Sequence, residues 1–185
     1  MAVQDRLYTA KDLLDLPHDD NRYELFKGML IEMSPTGATH GLITAKLTAL
    51  IAVFVYLHDL GQVYGAETGF ILSQQPDTVQ APDVAFTAKG RLPKVTDSYP
   101  TVAPDLVVEV ASPGNTKIEM QQKVEAYFQA GVRLIWIVYP NSRTVYVYRG
   151  ALDVAILGGL DGILTGDDVL PDFSAKLSEI FSVLD

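Results

Sequence analysis

The apolar positions of this chain fall into short blocks separated by proline, glycine and acid-amide punctuation, and the length of each block predicts its element. Thr9 can cap a short helix over 11–15, which Pro17 and the polar His18-Asp19-Asp20-Asn21 stretch then end. Two β-like pieces, 22–26 and 29–33, flank Lys27-Gly28, the chemistry of a tight turn, which predicts a hairpin. Residues 39–60 are rich in helix formers and precede Gly61, a good left-handed stop, so the longest helix is expected there. Its apolar run, 47–57, is broken only by Thr48. That run is shorter than the ~20 residues needed to cross a bilayer and reads as a buried helix, with no membrane partner.

Two strands are expected over 62–73 and 82–87, divided by the turn-prone Gln75-Pro76-Asp77. Residues 88–103 form a loop long enough to suggest function or mobility. The apolar run 105–111, bounded by prolines, reads as a buried central strand. Thr116 caps a helix running to Ala130 ahead of Gly131, with Met120, Val124, Tyr127 and Phe128 on one stripe. Strands follow over 134–139 and 144–149, then a strand near 152–157 and a last helix over 174–184. A strand-helix-strand crossover beside hairpins predicts an α/β fold, a mixed sheet flanked by helices.

Composition narrows the chemistry. With 185 residues, 48% of them hydrophobic, the chain should form one globular domain over 1–185. It has no cysteine, which excludes disulfides, thiolate metal sites and a cysteine nucleophile. His18, His40 and His58 follow no ligand spacing. A bound metal would therefore sit mainly among oxygens, favouring magnesium, manganese or calcium. The net charge of −9 argues against nucleic-acid binding over the whole surface, but leaves room for a local cleft. The N-terminal sequence has no secretory pattern, so a cytoplasmic location is expected.

Two carboxylates stand out. Glu109 lies inside Leu106-Val107-Val108-Glu109-Val110-Ala111, where an unpaired charge would cost several kcal/mol unless it protonates, pairs or binds a cation. Asp83, in Pro82-Asp83-Val84-Ala85-Phe86, poses the same problem more mildly. A divalent ion held between neighbouring strands resolves both, with water and a substrate phosphate completing its shell. Asp105 falls on the same strand face as Glu109 but roughly 13 Å away, too far to share an ion. The structural alternatives are a turn aspartate at Asp83, an ion pair of Glu109 with Lys123 or Arg133, and a solvated helix lysine at Lys123.

The segments Tyr23-Glu24-Leu25, Ala81-Pro82-Asp83-Val84-Ala85-Phe86, Pro104-Asp105-Leu106-Val107-Val108-Glu109-Val110 with Ser112-Pro113, and Lys123-x-x-x-Tyr127-x-x-Ala130-Gly131-Val132 resemble the Uma-type endonuclease family. That family belongs to the PD-(D/E)XK restriction-endonuclease-like superfamily, and the likeness runs from about residue 8 to Leu170-Pro171-Asp172-Phe173. The resemblance implies a three-layer restriction-endonuclease-like core in which Asp83 and Glu109 bind Mg2+ or Mn2+ and DNA is hydrolysed. Where the superfamily motif has a lysine this chain has Ala111, and the family pattern offers Lys123 on the next helix as its replacement. A second departure is Lys27-Gly28-Met29 where the family reads Asp-Gly-Glu. Glu24 matches and is a candidate further acid; His40 matches a family position whose role is open between capping, substrate orientation and structure. The apolar helix and a duplex substrate would both suit a homodimer. The alternatives to a nuclease are a binding module of the same fold without turnover, and a carboxylate-pair glycosidase, which needs no metal.

Overall fold

The computed structural model describes residues 6–16 and 21–185. Helix α1 (Ala10–Leu14) opens on a capping box in which Thr9 and Asp12 satisfy each other's backbone N–H groups. The stop expected at Pro17 to Asp20 lies outside the described residues. Strands β1 (Arg22–Phe26) and β2 (Met29–Met33) form the expected hairpin. Its two turn residues, Lys27 and Gly28, have φ of 51° and 78°, the primed turn that matches strand twist.

Helix α2 (Ala38–Leu57) buries Ile43, Leu47, Ile51 and Val55, one residue per turn along a single edge. By length and composition it is the one described helix that could cross a membrane; here that edge packs in the core. It does not run to Gly61. The chain leaves the helix at His58, Asp59 takes the left-handed conformation (φ 53°), and Gly61 begins β3 (Gly61–Gly65). Glycine is needed at 61 because a Cβ there would lie 2.1 Å from the Thr87 carbonyl oxygen.

The strand expected over 62–73 is two strands in different sheets. β3 pairs with β6 (Val84–Ala88), whereas β4 (Phe70–Ser73) pairs with β5 (Thr78–Gln80). Glu67, at φ 76°, turns the chain from one sheet to the other. Then come β7 (Leu106–Val110), α3 (Lys117–Gln129), β8 (Leu134–Tyr139), β9 (Thr144–Tyr148) and β10 (Val154–Leu157). Thr116 and Glu119 make a capping box at the start of α3, and Gly131 (φ 95°) follows its end.

The tail corrects the expected helix over 174–184. Residues 174–176 belong to β12 (Leu170–Lys176), which pairs with β11 (Ile163–Gly166), and only α4 (Leu177–Phe181) with a 3-10 turn follows. Phe173 and Ala175 point inward while Ser174 and Lys176 point out, the two-residue period of a strand.

The six-stranded sheet runs β10-β9-β8-β7-β6-β3, with β7 and β8 parallel and the other pairs antiparallel. On one face, Leu106, Val108, Val110 and Trp136 pack against α2, β12 and α4. On the other, Val107, Ile135 and Ile137 pack against α3 and Phe70 of the smaller sheet, β2-β1-β5-β4. This is the expected mixed sheet between flanking layers. Asp105, wholly buried at the start of β7, accepts from the Ala88 N–H at 2.8 Å and pairs with Arg91 at 2.6 Å and Arg133 at 3.6 Å. It thereby ties both ends of the 88–105 connection to the sheet.

Candidate active site

The strand register brings the two singled-out carboxylates together. β6 and β7 pair Val84 with Val108 and Ala85 with Val107, and continuing that register by one residue sets Asp83 opposite Glu109. Both then lie on the α3 face of the sheet, as Ala85 and Val107 do. One step further, Pro82 faces Val110 and has no N–H to give, so the ladder stops. The Val110 N–H donates instead to Asp83 Oδ2 at 2.7 Å. Val110 lines the cleft, and its backbone also hydrogen-bonds the His40 ring.

The cleft has a volume of about 1030 Å³ and opens between the β1–β2 hairpin, the start of α2 and the N-terminal half of α3. Lys123 enters it from α3. Its Nζ lies 3.3 Å from Glu109 Oε1 and 3.3 Å from Glu24 Oε2, so Glu24 joins the site from the small sheet. The side chain is 17% exposed, so Lys123 is not a solvated surface lysine. Of the two ion pairs considered for Glu109, the one with Lys123 forms, while Arg133 pairs with Asp105 and Asp168.

The Tyr127 hydroxyl donates to Glu109 Oε1 at 2.6 Å. From the start of α2, His40 Nε2 lies 3.1 Å from Asp83 Oδ2, and Glu24 Oε1 accepts from the Ala81 N–H at 3.0 Å. Sequence reasoning placed Tyr127 only in a core stripe and left His40 outside the site. The available signal for Tyr127 was a phenol, rather than a phenyl or alkyl group, on a buried face one turn beyond Lys123.

The electrostatics follow from burial. Desolvation, with repulsion from Asp83 and Glu24, pushes the Glu109 carboxyl up to about 7 against the pull of Lys123 and the Tyr127 hydrogen bond. Burial works against the Lys123 charge, but Glu109 and Glu24 outweigh it and raise its pKa. The hydrogen bond to Asp83 raises that of His40, partly offset by desolvation. Burial and the Glu109 charge raise that of the Tyr127 phenol, keeping it a donor.

Among the described residues six carboxylates line the cleft, Glu24, Glu32, Glu67, Asp83, Glu109 and Glu119, against Arg22 and Lys123. Among the described residues no three His, Cys, Asp or Glu side chains already converge as a cage for an ion. Asp83 and Glu109 do each retain an oxygen, Oδ1 and Oε2, that accepts no hydrogen bond from a described residue.

The mixed sheet between flanking layers, with Asp83 and Glu109 opposite each other where β6 and β7 meet the cleft, is an α/β fold shared with a solved nuclease-fold structure. The crystal structure of a "putative nuclease" from Anabaena variabilis ATCC 29413 matches it with a TM-score of 0.84 at 19% identity, covering 96% of this chain and 99% of that one. The chain belongs to the Uma2 family, described as "putative restriction endonuclease", whose model matches residues 10–178. No curated protein matches the chain.

Proposed function

We propose that this protein is a metal-dependent endonuclease that hydrolyses DNA phosphodiester bonds, with Asp83 and Glu109 holding Mg2+ or Mn2+. The observation that carries the reading is the placement of these two carboxylates on adjoining strands, each with a spare oxygen. Hard, anionic oxygens of this kind suit a small divalent cation. The acidic cleft would repel a phosphodiester without such an ion. When bound, the ion polarises a phosphoryl oxygen and acidifies water.

The protein's own groups do the rest. Lys123, charged throughout the neutral range, offers its ammonium to the negative charge that builds on phosphorus. Tyr127 fixes the Glu109 carboxylate, and His40 together with the Val110 N–H fixes Asp83. Purified protein with Mg2+ or Mn2+ should nick supercoiled DNA, and Asp83→Ala should abolish nicking while leaving the fold intact. Equal cutting by that variant would assign the activity to a contaminant or to another site.

A second reading, a nucleic-acid or protein binding module without turnover, draws on Ala111 in the motif position and on Lys123 being held by two carboxylates. Calorimetry separates the two: nucleic-acid binding with no heat from Mg2+ favours the module. The outward side of α2 exposes Leu42, Ala45, Ala49, Val53 and Tyr56 in one stripe, which supports self-association as a homodimer suited to a duplex.

A further inference from the structure

The α3-facing wall of the cleft contains a polar side chain that the site described so far does not use. Gln80 is 2% exposed and lines the cleft, yet its Oε1 is buried with no hydrogen-bond partner among the described residues. Its position follows from strand register. β1 and β5 pair Leu25 with Val79, so Glu24 and Gln80 face each other and point to the same side. Gln80 is also paired with Phe70, which packs with Met120, Val124 and Tyr127. Gln80 therefore stands beside Glu24 on the wall that meets α3, while Leu25 and Val79 face α1 from the opposite side of the small sheet.

A buried carbonyl oxygen needs a donor, and the donors around this one are committed. The Ala81 N–H goes to Glu24, the Lys123 ammonium to Glu24 and Glu109, and the Tyr127 hydroxyl to Glu109. The neighbouring carboxylates, Glu24, Asp83 and Glu109, only accept when ionised, and so do the phosphate oxygens of a nucleic acid. The missing donor has to arrive with something else that enters the cleft, and because Oε1 has no surface there the side-chain amide must turn to meet it. A small divalent cation sheds its hydration shell reluctantly, and its waters are strongly polarised donors.

We infer that Gln80 is a positioning residue of the metal site, whose amide turns toward the cleft so that Oε1 accepts a hydrogen bond from a hydration water of the cation that Asp83 and Glu109 hold. The inference rests on the metal reading above and adds to it a residue of the small sheet. Asp83 and Glu109 would hold the ion itself, and Gln80, beside Glu24, would take one of its waters. The small sheet thus contributes to the choice of cation, by selecting one that keeps its water.

The test is a calorimetric titration with Mn2+ of the full chain, with thermal melting in chelator recorded on the same samples. Gln80→Met keeps the volume and removes the acceptor; it should bind Mn2+ about 10-fold more weakly or worse. Its metal-free melting temperature should equal or exceed that of the unsubstituted protein, because an orphaned polar atom has been removed. Gln80→Glu keeps an acceptor and should bind Mn2+ at least as tightly as the unsubstituted protein, with a lower metal-free melting temperature. Unchanged Mn2+ affinity in Gln80→Met overturns the inference and leaves the metal site standing. A fall in its metal-free melting temperature with no loss of affinity assigns Gln80 a structural role instead. Should Gln80→Met fail to fold, weaker binding by Gln80→Glu overturns the proposal. No Mn2+ binding by the unsubstituted protein would overturn the metal reading itself, and this inference with it.

Discussion

The Tyr127 hydroxyl donates to Glu109 Oε1 across 2.6 Å, and both side chains are buried. A hydrogen bond to an ionised, desolvated acceptor contributes about 1.5–3 kcal/mol. Tyr127→Phe keeps the packing against Val124 and Met120 and removes only this bond. The variant should lose stability of that order at pH 8 and bind Mn2+ roughly 10-fold more weakly. Melting curves and calorimetry read both effects; wild-type Mn2+ affinity would reduce Tyr127 to a packing residue.

Stability should fall with pH in a range set by Glu109. Burial, with Asp83 and Glu24 repulsion, raises its carboxyl from 4.5 to about 7, so the folded chain holds this proton more tightly than the unfolded one. The stabilisation is complete below about pH 4.5 and is lost as pH rises through about 7, a difference on the order of 3 kcal/mol. The raised His40 pKa acts in the same direction. Denaturation in chelator should show this decline in the wild type and a smaller one in Glu109→Gln. At pH 8, Mg2+ should restore stability to the wild type alone. Parallel pH profiles for the two proteins would mean that Glu109 ionises freely in the folded state.

Lys123 is the ammonium between Glu24 and Glu109, and Lys123→Met leaves two buried carboxylates facing each other. Breaking such a cluster costs about 3–5 kcal/mol in the metal-free protein. Because Lys123 competes with any divalent ion for Glu109, the same variant should bind Mn2+ more tightly while cutting DNA about 100-fold more slowly. Weaker Mn2+ binding would contradict the competition, and undiminished cutting would remove Lys123 from the chemistry.

Asp105 provides the contrast. It is as buried as Glu109 but lies at the other end of β7, fully engaged by Ala88, Arg91 and Arg133. Asp105→Ala should destabilise the fold by about 3–5 kcal/mol and leave Mn2+ affinity unchanged. A loss of metal binding in folded protein would show that the two ends of β7 are coupled.

The α2 stripe sets an association test. Val53 is 59% exposed near its middle, and Val53→Glu would bury a charge in any interface formed there. Sedimentation should show a dimer for the wild type and a monomer for the variant. A wild-type monomer at micromolar concentration would remove the homodimer proposal.

Much of this architecture was legible along the chain because its signals are local. Capping at Thr116, the primed turn at Lys27-Gly28 and the apolar blocks of β7 and β8 depend only on near neighbours. The odd charges among apolar residues, Asp83 and Glu109, marked the candidate site for the same reason, since a carboxylate among valines needs a partner wherever the strand is placed. The signals failed where the deciding contact is distant in sequence. Gly61 looked like a helix stop, and its absent side chain serves the approach of Thr87; residues 62–73 read as one strand although the chain changes sheets midway.

By itself, the sequence determined most of the elements around the central sheet and which two carboxylates are out of place, because both follow from side-chain chemistry and short-range periodicity. Only the tertiary structure decided what those carboxylates meet. Glu24 and Gln80 from the small sheet, Lys123 and Tyr127 from α3, and His40 from α2 come together through strand register and layer packing, and no spacing along the chain encodes that meeting. The reason is physical: a buried charge states that it needs a partner, and the fold alone chooses which one.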